Sequence, residues 1–417
     1  MDFGLVSLTP EQEAFAAEAR AFLDRVVTED VHRHERDTGD GFNAGVHLAL
    51  GSRGWLMPEW PAADGGAGLD RVSCLILAGE LSRHRVPGVT AGTTRAVWKA
   101  VDQFAEPALR DELKGGVANG TIRFCLGYTE PDGGSDIAGA RLRAVNEGGE
   151  WLLNGSKMFT TGAQNCQYTF LLTRTDPGQP KHRGLTMFLV PLDAPGISIQ
   201  GIRTFGGERS NLVYYDNVRI SDRYRLGRVN DGWSVLSGPL SEEHSLGERD
   251  GLGDLSAIGR GFLRDLEPAL DAAVAWAATP GPDGRRPADD PTVLMRLGRI
   301  ATDLEAGICT PGPEGRVKGS AVLIQAAADL VDLMGPLGVL RHGSEGAPGD
   351  GVFDYAHRFA QGTATYAGTV EVFRNIIAQQ VLGLPRPVYP GSRQFLSNGK
   401  KPIQGMPNEP LLRPLRP

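Results

Sequence analysis

The chain has 417 residues and a formal net charge of −7. This acidic balance argues against nucleic acid as a partner, because a basic face is needed to meet phosphates. The four cysteines lie far apart without a CxxC pair, so we expect neither a metal site nor a disulfide framework. A chain of this length is long for one hydrophobic core, and two or three domains are therefore expected.

The N-terminus does not indicate export or membrane insertion. It is acidic and lacks the basic and then apolar pattern of a signal peptide, and we see no run of about 18 apolar residues that would span a membrane. The separated cysteines fit a reducing compartment. We therefore expect a soluble cytoplasmic protein with no membrane span.

The first part of the chain has helical periodicity. Thr9, Pro10 and Gln12 predict a capping box at the start of a helix over residues 7–28, whose apolar residues recur at three- and four-residue spacing. The same pattern predicts further helices at residues 43–53, 70–85 and 91–115. Residues 1–121 are thus predicted to form a helical domain.

From Arg123 the periodicity changes to short apolar and β-branched runs separated by glycine and proline turns. These runs cover residues 140–144, 151–154, 167–173, 185–190, 197–202 and 212–220. They predict a small antiparallel β domain over residues 122–230.

Helical periodicity returns after Gly232 and continues to about residue 383. It predicts a C-terminal four-helix-bundle domain over residues 231–387, with residues 388–417 as an extended tail. Thr369 would cap the last helix, and Gly383 would end it. The predicted fold class is therefore α+β, with a β domain between two helical domains.

The stretch from Tyr128 to Asp136 reads Tyr-Thr-Glu-Pro-Asp-Gly-Gly-Ser-Asp and follows an apolar run. Small, flexible and hydroxyl-bearing residues at the end of a predicted strand could cradle phosphates. A Pro-Asp-Gly-Gly cluster is also an ordinary turn, because glycine tolerates positive φ and aspartate bonds its own backbone. The stretch alone leaves both interpretations open.

Phe159 lies beside two hydroxyl residues in the run Lys157-Met158-Phe159-Thr160-Thr161-Gly162. An aromatic ring next to two hydroxyls could contact a ligand. The alternative is a half-buried strand with Phe159 in the core, and ordinary burial preferences favour that alternative.

Glu243 is a candidate base. Leu236, Leu240 and Glu243 are spaced at i, i+4 and i+7, whereas Glu242 lies about 100° away around a helix. A carboxylate on an apolar face has a raised pKa and can act as a base near neutral pH. Periodicity alone favours the alternative of a surface glutamate or one paired with His244.

Four ordered motifs together with the helical, β and helical order resemble the acyl-CoA dehydrogenase family of flavoproteins. The motifs cover residues 128–136, 154–161, 215–227 and 368–377. The resemblance extends over nearly all of residues 5–386. It implies FAD as the cofactor and an acyl-CoA thioester as the substrate.

The resemblance also implies roles for individual residues. The residues implied to line FAD are Leu126, Tyr128, Thr129, Gly134, Ser135, Phe159, Thr160, Thr161, Thr369 and Glu371. Those implied to meet the substrate are Ser135, Ser241, His244 and Gly368. Phe159 stands where the family usually has tryptophan. The backbone N–H of Ala367, together with a ribityl hydroxyl of the flavin, would hold the enolate oxygen of the thioester.

The sequence departs from the family at the base. Many relatives carry the catalytic carboxylate directly before the Gly-Thr pair, where this chain has Ala367. A minority carry it on the helix after the β domain, and alignment on Gly232-Trp233 places that position at Glu243. His244 replaces an arginine that is usual at the next position.

A second departure concerns the adenine half of FAD. Relatives usually bind a neighbour's adenine through Arg-x-x-Phe-Gly and Gln-x-x-Gly-Gly elements, but this chain has Pro280, Asp283 and Gly284 in the first place. It has Asp332, Gly335 and Pro336 in the second. An aspartate there would repel a pyrophosphate instead of donating to it.

This loss resembles the heterotetrameric α2β2 acyl-CoA dehydrogenases of actinobacteria that act on steroid side-chain CoA thioesters. The resemblance implies a paralogous partner subunit and electron-transfer flavoprotein as the acceptor. Two alternatives stay open: an acyl-CoA oxidase or flavin monooxygenase, and a non-catalytic scaffolding subunit.

Overall fold

The computed structural model describes residues 7–243 and 258–385, with the backbone alone for residues 239–243 and 258–260. The chain divides into two compact units, residues 1–374 and residues 375–417. Of the second unit, residues 375–385 are described. The predicted tail at 388–417 lies outside the described residues.

The described N-terminal residues fold into helices. These are α1 (Pro10–Val26), α2 (Glu29–Thr38), α3 (Ala44–Ser52), α4 (Arg71–Arg83), α5 (Val89–Phe104) and α6 (Pro107–Asn119). The capping box of α1 is confirmed: the Gln12 N–H donates to Thr9 Oγ1 at 3.3 Å, and the Thr9 N–H donates to Gln12 Oε1 at 3.0 Å.

The single helix expected over residues 91–115 is wrong, because α5 ends at Phe104 and α6 begins at Pro107. Proline has no N–H to continue a helix and disfavours helical backbone in the residue before it. Helix α2 was not predicted. Its sequence is mostly charged, with Val31 as its buried apolar residue, so it carries no apolar stripe.

The middle of the chain forms one sheet. Its strands are β1 (Phe124–Gly127), β2 (Arg143–Glu147), β3 (Glu150–Met158), β4 (Tyr168–Arg174), β5 (Leu185–Pro191), β6 (Ile197–Arg203), β7 (Arg209–Ser221) and β8 (Arg225–Leu226). The order is β6-β7-β3-β2-β4-β5-β8, and β1 pairs with β4.

The sheet is mixed and not wholly antiparallel as expected. Phe124 of β1 pairs with Tyr168 of β4 in parallel, and β2 also meets β4 in parallel. Parallel neighbours need a long connection. The β2–β3 hairpin lies in the connection between β1 and β4, and the turn signals do not report this arrangement.

Both faces of the sheet are buried over much of its area. Alternate strand residues point to opposite faces, so Phe170 joins the core with α5 and α6, whereas Leu171 joins the core on the other face. Val235 and Leu236 of the following helix enter the first of these cores. One face of the sheet is therefore packed against α5, α6 and the helix that follows the sheet.

The end of α2 is joined directly to the β domain. Arg203 Nη2 donates to the carbonyl oxygen of Asp37 at 2.7 Å, across 166 residues of sequence. Gly39 has a φ of 69°, and a Cβ there would lie 2.2 Å from the carbonyl oxygen of Gly207. Glycine is thus required at this close approach.

The C-terminal residues return to helices. These are α7 (Gly232–Glu243), α8 (Ile258–Arg264), α9 (Glu267–Ala278), α10 (Pro291–Ile308), α11 (Gly312–Met334), α12 (Val352–Thr363) and α13 (Val370–Ile376). Helices α8 to α12 share one hydrophobic core. Ile377–Val381 is a π-helical turn, and Gly383 beyond it has the positive φ expected of a helix stop.

One helical segment, Gly312–Val339, is long and apolar enough to cross a membrane by length and composition alone, although it contains no unbroken run of about 18 apolar residues. Leu323, Ala327 and Leu330 on this segment are buried in the core of the C-terminal helices.

Candidate active site

The loop at residues 128–136 is a tight turn with an open outer side. Glu130 and Gly133 exchange two backbone hydrogen bonds of 3.0 Å, which closes the turn over Pro131 and Asp132. A Cβ on Gly133 would meet nothing within 4 Å. The two interpretations of the motif are therefore compatible, since the turn presents an exposed and unobstructed backbone.

A buried ion pair holds this loop from below. Lys157 Nζ is fully buried and lies 2.8 Å from Glu130 Oε1 and 3.2 Å from the Tyr128 carbonyl oxygen. The Glu130 carboxylate also accepts from the backbone N–H groups of Arg141 and Leu142 at 2.8 and 2.9 Å. The pair fixes the loop to strand β3.

Both groups of this pair are charged at neutral pH. Burial lowers the pKa of Lys157 to about 8, although the Glu130 charge opposes the shift. Burial acts to raise the pKa of Glu130, but the Lys157 charge and the backbone donors lower it below its usual value. Glu130 is therefore an ionised acceptor at neutral pH.

Phe159 lies on the surface beside this loop. It is 54% exposed and has a φ of 58°, directly after β3 ends at Met158. The alternative of a core phenylalanine is wrong, because the left-handed backbone turns its side chain out of the sheet. The Met158 N–H donates to the Thr129 carbonyl oxygen at 2.8 Å, so the turn after β3 and the 128–136 loop are neighbours.

The hydroxyls next to Phe159 fit a polar, planar ligand. Thr160 Oγ1 is buried and has no hydrogen-bond partner among the described residues. Thr161 Oγ1 lies 2.9 Å from Ser210 Oγ. An exposed aromatic ring beside an unpartnered buried hydroxyl, with the open turn adjacent, is a combination that fits the flavin ring of FAD.

The segment before α13 forms a second group. Ala367 and Gly368 have positive φ values of 48° and 92°. The Val372 N–H donates to Thr369 Oγ1 at 3.2 Å, which confirms Thr369 as the cap of α13. The Val370 N–H also donates to the Ala364 carbonyl oxygen at 2.9 Å, so the start of α13 is fixed by bonds within its own segment.

The other residues expected at the site are found as follows. Tyr128 is buried, Leu126 is half-buried, Thr369 is half-buried, and Gly134, Ser135 and Glu371 are exposed. Helix α7 ends at Glu243, and Ser241 lies in its last turn, but their side chains are not described. His244 lies outside the described residues.

Comparison with known proteins identifies the family. The acyl-CoA dehydrogenase N-terminal domain matches residues 9–121, and the middle domain matches residues 125–218. Acyl-CoA dehydrogenase IpdE1 of Mycobacterium tuberculosis is 31% identical over 353 residues, which cover 81% of this chain and 86% of that protein. The chain belongs to the acyl-CoA dehydrogenase family.

Two solved structures of this family are also similar. The Tcur3481-Tcur3483 steroid ACAD has a TM-score of 0.77 and 28% identity, covering 93% of this chain and all of that chain. The ChsE4-ChsE5 complex from Mycobacterium tuberculosis has a TM-score of 0.77 and 26% identity, covering 92% and 100%. The predicted fold class is confirmed, and this acyl-CoA dehydrogenase is an FAD-dependent oxidoreductase.

The two elements that the resemblance compares with adenine-binding elements form hydrogen bonds and ion pairs within this chain. Arg296 Nη2 lies 2.8 Å from the Asp332 carboxylate. In the turn around Gly284, the Arg285 N–H donates to Asp283 Oδ1 at 3.1 Å. Both aspartates thus bind groups of their own chain.

The described parts of the chain contain no group of three or more His, Cys, Asp or Glu placed to hold a metal ion. Lys157, Glu130 and Arg316 were not predicted as structural supports of the site. A signal existed for Arg316, because it shares one helix face with Ser320 and Leu323 at i, i+4 and i+7. A charged residue on an apolar face is expected to have a specific partner.

Proposed function

We propose that this chain is the base-carrying subunit of a heteromeric acyl-CoA dehydrogenase that forms an α,β double bond in a CoA thioester with a steroid-like acyl group. The observation that carries the proposal is Ala367. It occupies the position of the usual base, and its methyl group cannot take a proton, whereas its backbone N–H is retained. The base must therefore come from elsewhere.

The reaction demands two groups from the protein. An α-proton of a thioester is a weak acid, so a carboxylate must remove it while donors stabilise the enolate oxygen. Bound FAD supplies the acceptor for the β-hydrogen, which leaves as hydride. The N–H of Ala367 is the donor in this chain, and the open turn at 128–136 with Phe159 provides the place for the flavin.

Glu243 is the proposed base. Helix α7 packs against α5 and β5, and Val235 and Leu236 in its first half are buried in the central core. Glu243 is seven residues after Leu236 and shares its helix face. Low polarity beside that helix face would raise the proton affinity of a carboxylate placed there.

The heteromer is proposed from the adenine positions. Asp283 and Asp332 are engaged within their own chain, and neither can donate to a pyrophosphate. A different subunit with the missing donors would complete the cofactor site. The similar ChsE4-ChsE5 structure is described as a complex, and the Tcur3481-Tcur3483 structure as a steroid ACAD; both support this assignment.

The base is tested by Glu243→Gln, with Glu242→Gln as a matched control. We expect Glu243→Gln to keep its flavin absorbance but to lose about 10²–10⁴-fold in desaturation rate, because general-base catalysis is removed. The Glu242 variant should keep full activity. An active Glu243→Gln protein would move the base elsewhere, and it would favour a scaffolding role if the partner alone were active.

The heteromer is tested by expressing the chain alone and with a candidate paralogous partner, and by measuring flavin per chain. We expect substoichiometric FAD in the lone chain and full occupancy in the complex. Full occupancy together with activity in the lone chain would contradict the proposal.

The acceptor is proposed to be an electron-transfer flavoprotein in the cytoplasm, and the test is turnover with that protein against turnover with oxygen. An oxidase or monooxygenase would turn over with oxygen alone. A dehydrogenase requires the flavoprotein or a substitute electron acceptor.

A further inference from the structure

Arg316 is a buried cation directly beneath the segment that carries Ala367. It is 2% exposed and lies on the inner face of α11. Its Nη2 atom donates to the carbonyl oxygens of Thr363 and Tyr366 at 2.7 Å and of Gly368 at 3.0 Å. One guanidinium thus holds carbonyl groups on both sides of residue 367.

The charge of the guanidinium is stabilised by backbone carbonyl dipoles and not by a carboxylate. Among the residues that the structure describes, no carboxylate pairs with Arg316; its other neighbours are Ser320 Oγ and the rings of Phe262 and Phe373, 5.0 and 5.3 Å away. Burial lowers the pKa of Arg316 to about 10, so the group stays charged at neutral pH. A buried charge without a counterion is costly, which indicates that its position serves a purpose.

The planarity of the peptide bond gives the consequence. In a trans peptide the C=O of one residue and the N–H of the next point in opposite directions. The Tyr366 carbonyl points inward to Arg316, so the N–H of Ala367 points outward from the C-terminal core. No acceptor for this N–H occurs among the described residues.

The backbone at Ala367 needs such support. Its φ of 48° is unfavourable for a residue that has a Cβ. The bond to Tyr366 holds the peptide before Ala367, and the bond to Gly368 holds the peptide between Gly368 and Thr369. The conformation is therefore imposed by the buried side chain and not by local preference.

We propose that Arg316 is a positioning residue for the thioester oxyanion: it holds the Tyr366 and Gly368 carbonyls inward and thereby directs the Ala367 N–H at the substrate carbonyl. Arg316 touches neither substrate nor cofactor. The inference rests on the proposed function, because it needs a thioester carbonyl to be bound at Ala367. Arg316 of α11 thus acts on the backbone of a segment that lies 50 residues further along the chain.

The test uses acetyl-CoA labelled with ¹³C at its carbonyl, bound to the FAD-loaded full-length protein and, where loading requires it, to the complex with the partner. Acetyl-CoA has no β-carbon and is not desaturated. A hydrogen bond to its carbonyl lowers the infrared stretching frequency. Exchange of its α-protons in D₂O, followed by NMR, reports enolate formation alone.

In Arg316→Met we expect most of the carbonyl shift to disappear and α-proton exchange to slow by about 10²-fold, the usual cost of one lost oxyanion donor. Arg316→Lys should restore part of both, since lysine keeps the charge but not the planar fork. Leu323→Ala, on the same face of α11, is the control. The Leu323→Ala variant should lower the melting temperature about as much as Arg316→Met does, and it should leave the carbonyl shift unchanged.

The outcomes separate the inference from the proposed function. If the wild type shows the shift and exchange and Arg316→Met keeps both, Arg316 is merely structural and the inference fails alone. If the wild type shows neither, the proposed function fails and the inference fails with it. Glu243→Gln should lose exchange but keep the shift, which distinguishes the base from the oxyanion donor.

Discussion

Two loops of the site are each held from below by a buried cation, and the two cations are balanced differently. Lys157 lies under the 128–136 loop and is paired with the Glu130 carboxylate. Arg316 lies under the segment before α13 and binds only neutral acceptors in the described structure. The first arrangement ties a loop to a strand, and the second orients peptide dipoles. We therefore expect loss of Lys157 to appear mainly in stability and loss of Arg316 mainly in chemistry.

The largest expected effect on stability is that of Lys157→Met. It leaves Glu130 charged and almost buried without its partner, and breaking a buried pair in this way costs about 3–5 kcal/mol. Urea and thermal unfolding of the full-length protein would measure it. The control is Lys181→Met, which removes an exposed pair with Asp136 and should cost no more than about 1 kcal/mol. Equal losses in the two variants would show that the buried pair does not secure the loop.

The pH dependence of stability separates the two cations. The pKa of Lys157 is about 8 in the folded chain against 10.5 for a free lysine, so the folded state binds fewer protons between those values. This contribution to stability is complete above about 10.5 and is lost as the pH falls through 8. Arg316, whose pKa is about 10, stays mostly protonated up to about pH 9 and contributes no comparable change below that pH.

Unfolding free energies of wild type and Lys157→Met across pH 7.5–10 would check this window. The difference between the two proteins should change in favour of the wild type as the pH rises. A difference that stays constant would mean that Lys157 keeps its ordinary pKa in the folded protein.

The smallest expected effect is that of Ser320→Ala. Ser320 Oγ donates to the Thr363 carbonyl at 3.0 Å and also contacts Arg316. Its loss removes the bond to Thr363 and the acceptor of Arg316 Nη1, while Arg316 Nη2 still binds Thr363, so the cost should be about 2 kcal/mol in unfolding free energy. Acetyl-CoA exchange should be nearly unchanged. A loss of exchange as large as that of Arg316→Met would mean that the serine, and not the arginine alone, orients the segment.

Local chemistry explains what the sequence could predict. The capping box at Thr9 and the cap at Thr369 involve residues three apart, and the 128–136 motif is contiguous; all are readable from the chain. The change from helical periodicity to short apolar runs at Arg123 is also readable from the chain, and it separates the helices from the strands. Such features need no knowledge of distant neighbours.

The missed features depend on pairs that are distant in sequence. Lys157 is 27 residues from Glu130, and Arg316 reaches Tyr366 across 50 residues. The parallel pairing of β1 with β4 spans a similar distance and is invisible to turn signals. Arg316 could still have been flagged as the charged member of an apolar helix face, although nothing in the sequence named the carbonyl groups it would bind.

The bond between Arg203 and the Asp37 carbonyl has a consequence for the order in which the chain is made. The helices of the first 120 residues leave the ribosome early, but the end of α2 must wait for a partner 166 residues later. At about 5–20 residues per second, this interval lasts about 8–33 s. During this interval Gly207, which lies close to Gly39 in the folded protein, has not yet been synthesised. The N-terminal helices finish docking only when the β domain has been synthesised.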